Sequence, residues 1–149
     1  MRIPPPLLFV ATFLAGAGLQ RLVPLPVPSA HILQSSHFVG LGLVVAAGLM
    51  ALYCVGTFLV ARTTIVPFGS ASELVTWGPY RLTRNPMYVS LVLAYVGVAA
   101  LIFQIVPLGL LPLPVILISR IVIPFEERRM QEVFGETYVQ YRAKVRRWL

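Results

Sequence analysis

An uncharged stretch from Phe38 to Ala61 constrains the fold of this chain more than any other feature. Its 24 consecutive residues include no Asp, Glu, Lys or Arg. About 20 apolar residues in helical conformation cross the hydrocarbon core of a bilayer, so this stretch predicts a membrane-spanning helix with some tilt. Glycines at positions 40, 42, 48 and 56 indicate that another helix packs closely against it.

Three further apolar segments accompany this stretch. Charged residues make up only 11% of the 149 residues, against about a quarter in soluble globular domains. The length allows about four spans with short connections and leaves no room for a separate soluble catalytic domain. We therefore predict an all-α integral membrane protein with about four transmembrane helices in a single domain, residues 1–149, with spans at residues 5–23, 38–61, 86–103 and 108–125.

The connections between these segments are predicted from their polar residues and prolines. The first segment resembles a secretory signal in its apolar run and its small residues at positions 15 to 18. Three prolines at positions 4 to 6 and a short basic region argue against a signal, so we expect the segment to remain as the first span. A break at Pro24 to Pro28 and a polar connection from His31 to His37 follow it. Gln104 to Pro107 is predicted to be a tight turn, and prolines 112 and 114 to kink the last span.

The basic residues predict the orientation in the membrane. All of them except Arg21 fall on one side if the four segments cross in turn, and the positive-inside rule makes that side cytosolic. The cytosolic side then contains both termini, the loop 62–85 and all five acidic residues. The membrane itself is predicted to be the inner or plasma membrane. The net charge of +7 predicts contact with anionic membrane lipids and no nucleic-acid partner, because there is no soluble fold to present a basic groove.

A change of pattern follows the last apolar segment. Met130, Phe134, Tyr138 and Tyr141 recur at helical spacing with charged residues between them. This pattern predicts an amphipathic helix over residues 126–147 on the cytosolic side. Gly135 is expected to interrupt or bend it.

The loop from Gly78 to Tyr88 carries the most polar chemistry. Pro86 disfavours helical geometry at Asn85 and starts the next span, whose first amides lack helical partners and could receive a carboxylate. Tyr80 and Tyr88 could stack on a flat ring, and Glu126 could accept an ammonium group. These groups together suit a zwitterionic amino-acid moiety joined to an aromatic base. The two histidines and single cysteine are too few for a metal site, and none is predicted.

Each of these residues also has a simpler interpretation. The tyrosines are typical of the aromatic belt at a membrane interface, and Arg81 and Arg84 are typical anchors for lipid phosphates. For Glu126 and Glu127, the simpler interpretation is that they form ion pairs with neighbouring basic residues and have no other role. Arg120 lies inside the last apolar segment, where its side chain could extend to the interface or serve a site.

Three sequence blocks resemble one known family. They are the Gly78–Tyr88 loop with its Arg84-Asn85-Pro86-Met87-Tyr88 core, the pair Glu126-Glu127, and the segment Phe134 to Tyr141. In this order they resemble the isoprenylcysteine carboxyl methyltransferases, which are related to the phospholipid methyltransferases. The resemblance covers about residues 73 to 148. It implies an all-helical membrane enzyme that uses S-adenosylmethionine.

The resemblance also implies roles for individual residues. Catalytic roles would fall to Glu126, Glu127 and Arg120. Asn85 stands where many members have histidine, so a role as a general base is not expected there. The implied cofactor-binding residues are Ser72, Glu73, Leu74, Val75, Tyr80, Asn85, Pro86, Met87, Tyr88 and Glu126.

These observations leave several functions open. We favour methyl transfer to a carboxylate of a lipid-like or prenylated acceptor at the cytosolic face, with Arg120 positioning that carboxylate. An amine acceptor, as in phospholipid N-methylation, would need a base, for which Glu126 or Glu127 is the candidate. A non-catalytic membrane scaffold is the third alternative. A sterol-reductase function is disfavoured because the chain is short, and the sequence leaves the acceptor and the oligomeric state undefined.

Overall fold

The computed structural model describes residues 4–23, 25, 28–61 and 73–149. The described chain is helical and contains no strand, which confirms the all-α prediction. Its elements, in chain order, are α1 (Pro5–Gln20), α2 (Ala30–Val60), a short 3₁₀ helix (Gly78–Arg81), α3 (Pro86–Leu101), α4 (Ile105–Leu110), α5 (Pro112–Leu117), a π-helical turn (Ile118–Val122) and α6 (Ile123–Lys144).

The number of spans differs from the prediction. Within the described ranges, two helical runs are long and apolar enough to cross a membrane, Ala30–Val60 and Ile105–Lys144. The expectation of four such helices is therefore wrong. Helices α1 and α3 have 16 residues each, so each rises about 24 Å, less than the hydrocarbon thickness of about 30 Å.

Helix α2 begins earlier than predicted, because the polar residues before Phe38 are helical. The hydroxyl of Ser29 accepts a 3.4 Å hydrogen bond from the Ile32 amide and caps the helix. No Gly or Pro follows until Gly40, so nothing stops the helix in the polar segment. The predicted connection from His31 to His37 is therefore wrong, and α2 extends over 31 residues.

The last segment and the C-terminal region form one continuous helical run. The predicted turn at Gln104 to Pro107 is wrong, since α4 starts at Ile105. No break separates residues 108–125 from residues 126–147, because the π-helical turn leads directly into α6 and Pro124 lies in the first turn of that helix, where proline is tolerated. Gly135 does interrupt α6, with φ 54° and ψ −128°, as predicted. Its positive φ is accessible to glycine at little cost.

Close packing of α2 on α3 depends on two glycines. A side chain at Gly40 would lie 2.4 Å from the Leu101 amide nitrogen, and one at Gly97 would lie 2.9 Å from Val44. The helices therefore approach closely where side chains are absent. A side chain at Gly42, Gly48 or Gly56 would meet no atom of another element within 4 Å, so the predicted tight packing holds at Gly40 and not at the other three.

Two buried clusters fix the ends of the bundle. Phe9, Tyr95, Ile118 and Val122 join α1, α3 and the π-helical turn. Cys54, Val75 and Tyr80 anchor the segment from Glu73 to Asn85 against the end of α2. Many apolar side chains of α1 and α2 point outward, including Leu14 at 64% and Leu52 at 70% exposure. Such an apolar exterior is typical of helices that contact lipid.

Candidate functional site

A cavity of about 540 Å³ lies where the segment 73–85 meets the ends of α1, α2 and α3 and one side of α6. It is open on one side and lined mainly by apolar groups. Its volume falls in the range of small-molecule sites, about 300 to 1,000 Å³. The sequence-predicted residues that line it are Glu73, Leu74, Val75, Tyr80, Asn85, Pro86, Met87, Tyr88, Glu126 and Glu127.

Two predicted site residues are absent from the described lining of this cavity. Ser72 lies outside the described residues. Arg120 is exposed on the π-helical turn and does not line the cavity. The buried positions of that turn are Ile118 and Val122, so the position halfway between them faces away from the core. Arg120 is therefore not among the residues that the geometry brings to this cavity.

Tyr88 and Glu126 form a polar pair in the cavity wall. The Tyr88 hydroxyl donates a 2.8 Å hydrogen bond to Oε1 of Glu126. Tyr88 extends from the first turn of α3, and Glu126 from the first turn of α6. The hydrogen bond fixes the orientation of the carboxylate, because a bond to an ionised acceptor is stronger than one between neutral groups. The sequence predicted both residues as site residues.

Glu127 has a different environment from its neighbour. Its buried carboxylate lies 3.0 Å from Nη2 of Arg84 and accepts from Nη2 of Arg147 at 2.7 Å and from its Nε at 3.2 Å. The hydrogen bond to Glu127 raises the pKa of Arg147. Both carboxylate oxygens are therefore engaged in ion pairs, which suits Glu127 to a positioning role better than to proton transfer.

The polar groups of Asn85 are largely used within the protein. Its side-chain Nδ2 donates to the Arg147 main-chain carbonyl at 2.9 Å. Its main-chain carbonyl accepts from the amides of Tyr88 and Val89. The start of α3 therefore offers fewer free amides for a bound carboxylate than the sequence predicted.

Tyr80 is held rigidly on the floor of the cavity. It is buried, its carbonyl accepts a 2.7 Å hydrogen bond from the Tyr141 hydroxyl, and its ring meets the Phe58 ring edge-on at 5.4 Å. Burial raises the pKa of its phenol, so Tyr80 stays neutral at physiological pH. Its hydroxyl is already hydrogen-bonded to Cys54, so the group that Tyr80 offers to a ligand is its fixed aromatic ring, which can contact a flat ring.

Sequence reasoning missed the role of Arg84, which it treated as a lipid anchor. Arg84 lines the cavity, its side chain is 10% exposed, and its Nε is buried without a hydrogen-bond partner. A buried guanidinium donor without a partner is costly, which makes this atom a candidate contact for a bound anion. Nothing in the local sequence distinguishes Arg84 from the neighbouring Arg81.

Helix α6 forms a further wall of the cavity. From the sequence, its apolar residues were predicted only to be one face of an amphipathic helix, and not to line the site. The periodic residues of that helix face the cavity, so the 3.6-residue spacing was the signal that could have found them. The residues concerned are Met130, Phe134, Tyr138 and Tyr141.

An apolar groove of about 250 Å³ adjoins the cavity between α1 and α3. Pro6 and Leu91 line both spaces, so the groove and the cavity adjoin at these two residues. Its other walls include Phe9, Phe13 and Tyr95. The Tyr95 hydroxyl is bound to the Pro107 carbonyl at 2.9 Å, which leaves a surface suited to a hydrocarbon.

Comparison with known protein families finds one that matches this sequence. The sequence profile of the phospholipid methyltransferases matches residues 35–137, more than half of the chain. The chain belongs to the phospholipid methyltransferase family. This confirms the resemblance seen in the sequence, since isoprenylcysteine and phospholipid methyltransferases share that family. Comparison with curated proteins and with solved structures finds no match.

The family match and the site overlap closely but not fully. The matched range takes in α2 from Ser35 onward and the described part of the cavity loop, and it includes Glu126, Glu127 and Phe134. It ends at Thr137, before the tail that contains Arg147. Membership indicates a membrane-associated methyltransferase, in agreement with the two long apolar helices.

Proposed function

We propose that this phospholipid methyltransferase family member transfers a methyl group from S-adenosylmethionine to a lipid-like acceptor, and that the cavity at segment 73–85 is the site of transfer. The observation that carries the proposal is that a mainly apolar cavity with charged groups in its wall adjoins an apolar groove at Pro6 and Leu91. One end suits a charged cofactor and the other suits a hydrocarbon chain.

The residues of the cavity fit this cofactor. S-adenosylmethionine has a carboxylate, an ammonium group and an adenine ring. The unpartnered Nε of Arg84 can receive the carboxylate, and Glu73 at the exposed rim can accept from the ammonium group. Tyr80, Met87 and Phe134 provide a rigid apolar surface for the ring. When bound, the cofactor supplies a methyl group on a sulfonium, which needs no metal for activation.

The protein contributes orientation and exclusion of water. Tyr88 holds the Glu126 carboxylate in one position beside the cavity. Apolar residues such as Met130 and Leu91 keep water from the space between them. Alignment of two reactants in this way contributes a large part of the rate in transfer reactions.

The acceptor is best supported as an amine. Carboxyl methylation, favoured from the sequence, relied on Arg120 to hold the acceptor, and Arg120 is exposed away from the cavity. Glu126 instead lines the cavity with a carboxylate whose Oε2 has no hydrogen-bond partner in the described chain. That oxygen can bind an acceptor ammonium group and take its proton before transfer.

The apolar groove supports an acceptor that carries a hydrocarbon chain. The chain would lie between α1 and α3 while the headgroup reaches the cavity at Leu91. Entry from the side, out of the lipid, avoids exposing the chain to water. In this proposal the cavity faces the cytosol of an inner or plasma membrane, with both termini on the same side, which requires that the shorter helices α1 and α3 also cross the bilayer.

Two experiments test the proposal. Calorimetry on the purified protein in nanodiscs is expected to detect S-adenosylmethionine and S-adenosylhomocysteine binding, and a protein without affinity for either would refute the proposed cofactor. Incubation with labelled S-adenosylmethionine and extracted lipids, followed by base treatment, then separates acceptor classes. Label that survives base is expected for methylamines, whereas label released by base would indicate methyl esters. No label in any lipid would favour a scaffold protein.

A further inference from the structure

The C-terminal tail, residues 145–149, packs against the loop that lines the cavity. Three of its contacts use main-chain carbonyls. Arg146 accepts from the Arg84 amide at 2.9 Å, and Arg147 accepts from the Thr83 hydroxyl at 3.0 Å and from Nδ2 of Asn85 at 2.9 Å. Trp148 packs against the cluster formed by Phe9, Tyr95, Ile118 and Val122. The tail is therefore fixed in place at its backbone and at one large side chain.

The side chain of Arg147 completes a buried charge cluster. Glu127 is shared by Arg84 and Arg147, so two guanidinium groups surround one carboxylate and the cluster has a net positive charge. Arg147 takes two of the carboxylate contacts, through Nε and Nη2. Arg84 is left with a single contact to Glu127, through Nη2, while its Nη1 donates to the Arg142 carbonyl at 3.2 Å. Its Nε is buried without a hydrogen-bond partner, and Arg84 is one of the residues that line the cavity.

This sharing has a consequence for Arg84. A guanidinium beside a carboxylate with no competitor prefers a two-point pair, in which Nε and one Nη bind both oxygens. Without Arg147, Glu127 would be free to bind Arg84 in that way and to withdraw Nε from the cavity. The cluster would also become neutral, so its attraction for an anion would fall.

We infer that Arg147 is a positioning residue that keeps Nε of Arg84 available to bind the carboxylate of the amino-acid group of the cofactor. The inference rests on the proposed function and assigns the tail, which lies beyond the family match, to the same site. Arg147 acts through Glu127 and Arg84 and does not itself line the cavity.

The test compares two ligands that differ only at the amino-acid end. S-adenosylhomocysteine has the carboxylate, and 5′-methylthioadenosine has the same base, ribose and sulfur without the amino-acid group. Dissociation constants for both are measured by calorimetry on the full-length protein in nanodiscs, for the wild type and for Arg147→Gln, Arg147→Lys and Arg146→Gln. Arg146→Gln is the matched control, since its side chain is exposed and only its carbonyl contacts the loop.

The expected result is selective. Arg147→Gln weakens S-adenosylhomocysteine binding about tenfold or more and leaves 5′-methylthioadenosine binding unchanged. Arg147→Lys restores part of the loss, because it keeps the charge without the two-point geometry, and it keeps the test available if Arg147→Gln does not fold. Arg146→Gln matches the wild type.

Two outcomes overturn the inference while leaving the proposed function intact. Equal weakening of both ligands by Arg147→Gln and Arg147→Lys would show a general structural role, and unchanged binding of both ligands would show no role. A wild-type protein that binds neither ligand would instead refute the proposed function, and this inference with it.

Discussion

Tyr88 and Glu126 are joined by a 2.8 Å hydrogen bond across the interface between α3 and α6. The two residues lie 38 positions apart in the sequence, and both line the cavity in which we propose methyl transfer. The bond brings the start of one helix and the start of another to a single point. It therefore gives a direct way to separate the chemistry of the site from the stability of the fold.

Tyr88→Phe is expected to lower the rate of methyl transfer while changing thermal stability little. The lost hydrogen bond is only partly buried, so water can replace it at the carboxylate and most of the stability is kept, while the Glu126 side chain becomes free to rotate. Steady-state kinetics and a melting curve in detergent measure the two effects. Tyr53→Phe is the matched control, since Tyr53 is 55% exposed and does not line the cavity. Equal rates for the two variants would contradict the assignment.

Glu126→Gln and Arg120→Gln are expected to differ strongly in activity. Removal of a residue that accepts a proton lowers rates by about 10² to 10⁴, so Glu126→Gln should be nearly inactive. Arg120→Gln should retain the wild-type rate, because Arg120 is exposed and away from the cavity. Initial rates with the same lipid extract test both. A large loss in Arg120→Gln would restore the sequence-based expectation that it holds the acceptor.

Glu127→Gln is expected to destabilise the protein more than Glu126→Gln. Glu127 is buried between Arg84 and Arg147, and its neutralisation leaves two guanidinium groups without their shared partner. Breaking a buried ion pair costs on the order of 3 kcal/mol. Thermal unfolding in detergent, followed by circular dichroism, gives the comparison. If Glu126→Gln had the lower melting temperature, the structural role given to Glu127 would be wrong.

Gly40→Ala is expected to destabilise the packing of α2 on α3. Its new methyl group would meet the backbone at Leu101 and Gly97, at 2.4 Å and 2.7 Å, and overpacking of this kind costs about 1 to 3 kcal/mol. Gly42→Ala is the control, with nothing within 4 Å of the added carbon. It should be neutral or slightly stabilising, since alanine favours helix. Melting temperatures that fall equally for both variants would contradict this contact.

The parts of the site that the sequence predicted are those marked by unusual local chemistry. Tyr80, Tyr88 and Glu126 stood out as polar groups beside apolar segments, and they line one cavity. Arg84 and Arg147 did not stand out, because basic residues near a membrane surface are common for reasons of topology. Their roles depend on a contact with Glu127 from distant positions in the chain, which no local pattern reveals.

The fold was predictable in class and less so in its boundaries. Apolar composition was enough to predict helices, but it did not show where each helix would stop. Ser29 starts α2 before the apolar stretch, and the left-handed conformation of Phe103, with φ 53°, follows the end of α3. These features depend on capping and on tertiary packing, which override the apolar pattern at helix ends. The prediction of four full spans was wrong because the apolar pattern did not show where the helices begin and end.

The most direct test of the central claim is methyl transfer in reconstituted proteoliposomes. Purified protein is supplied with S-adenosylmethionine labelled in its methyl group, and the lipids are extracted and identified by mass spectrometry. The wild type is expected to place the label on a lipid amine, with inhibition by S-adenosylhomocysteine and loss of labelling in Glu126→Gln. The contrary result is a wild-type protein that binds the cofactor but labels no lipid in extracts that contain both amines and carboxylates. That result would contradict the claim that this cavity is a site of methyl transfer to lipid.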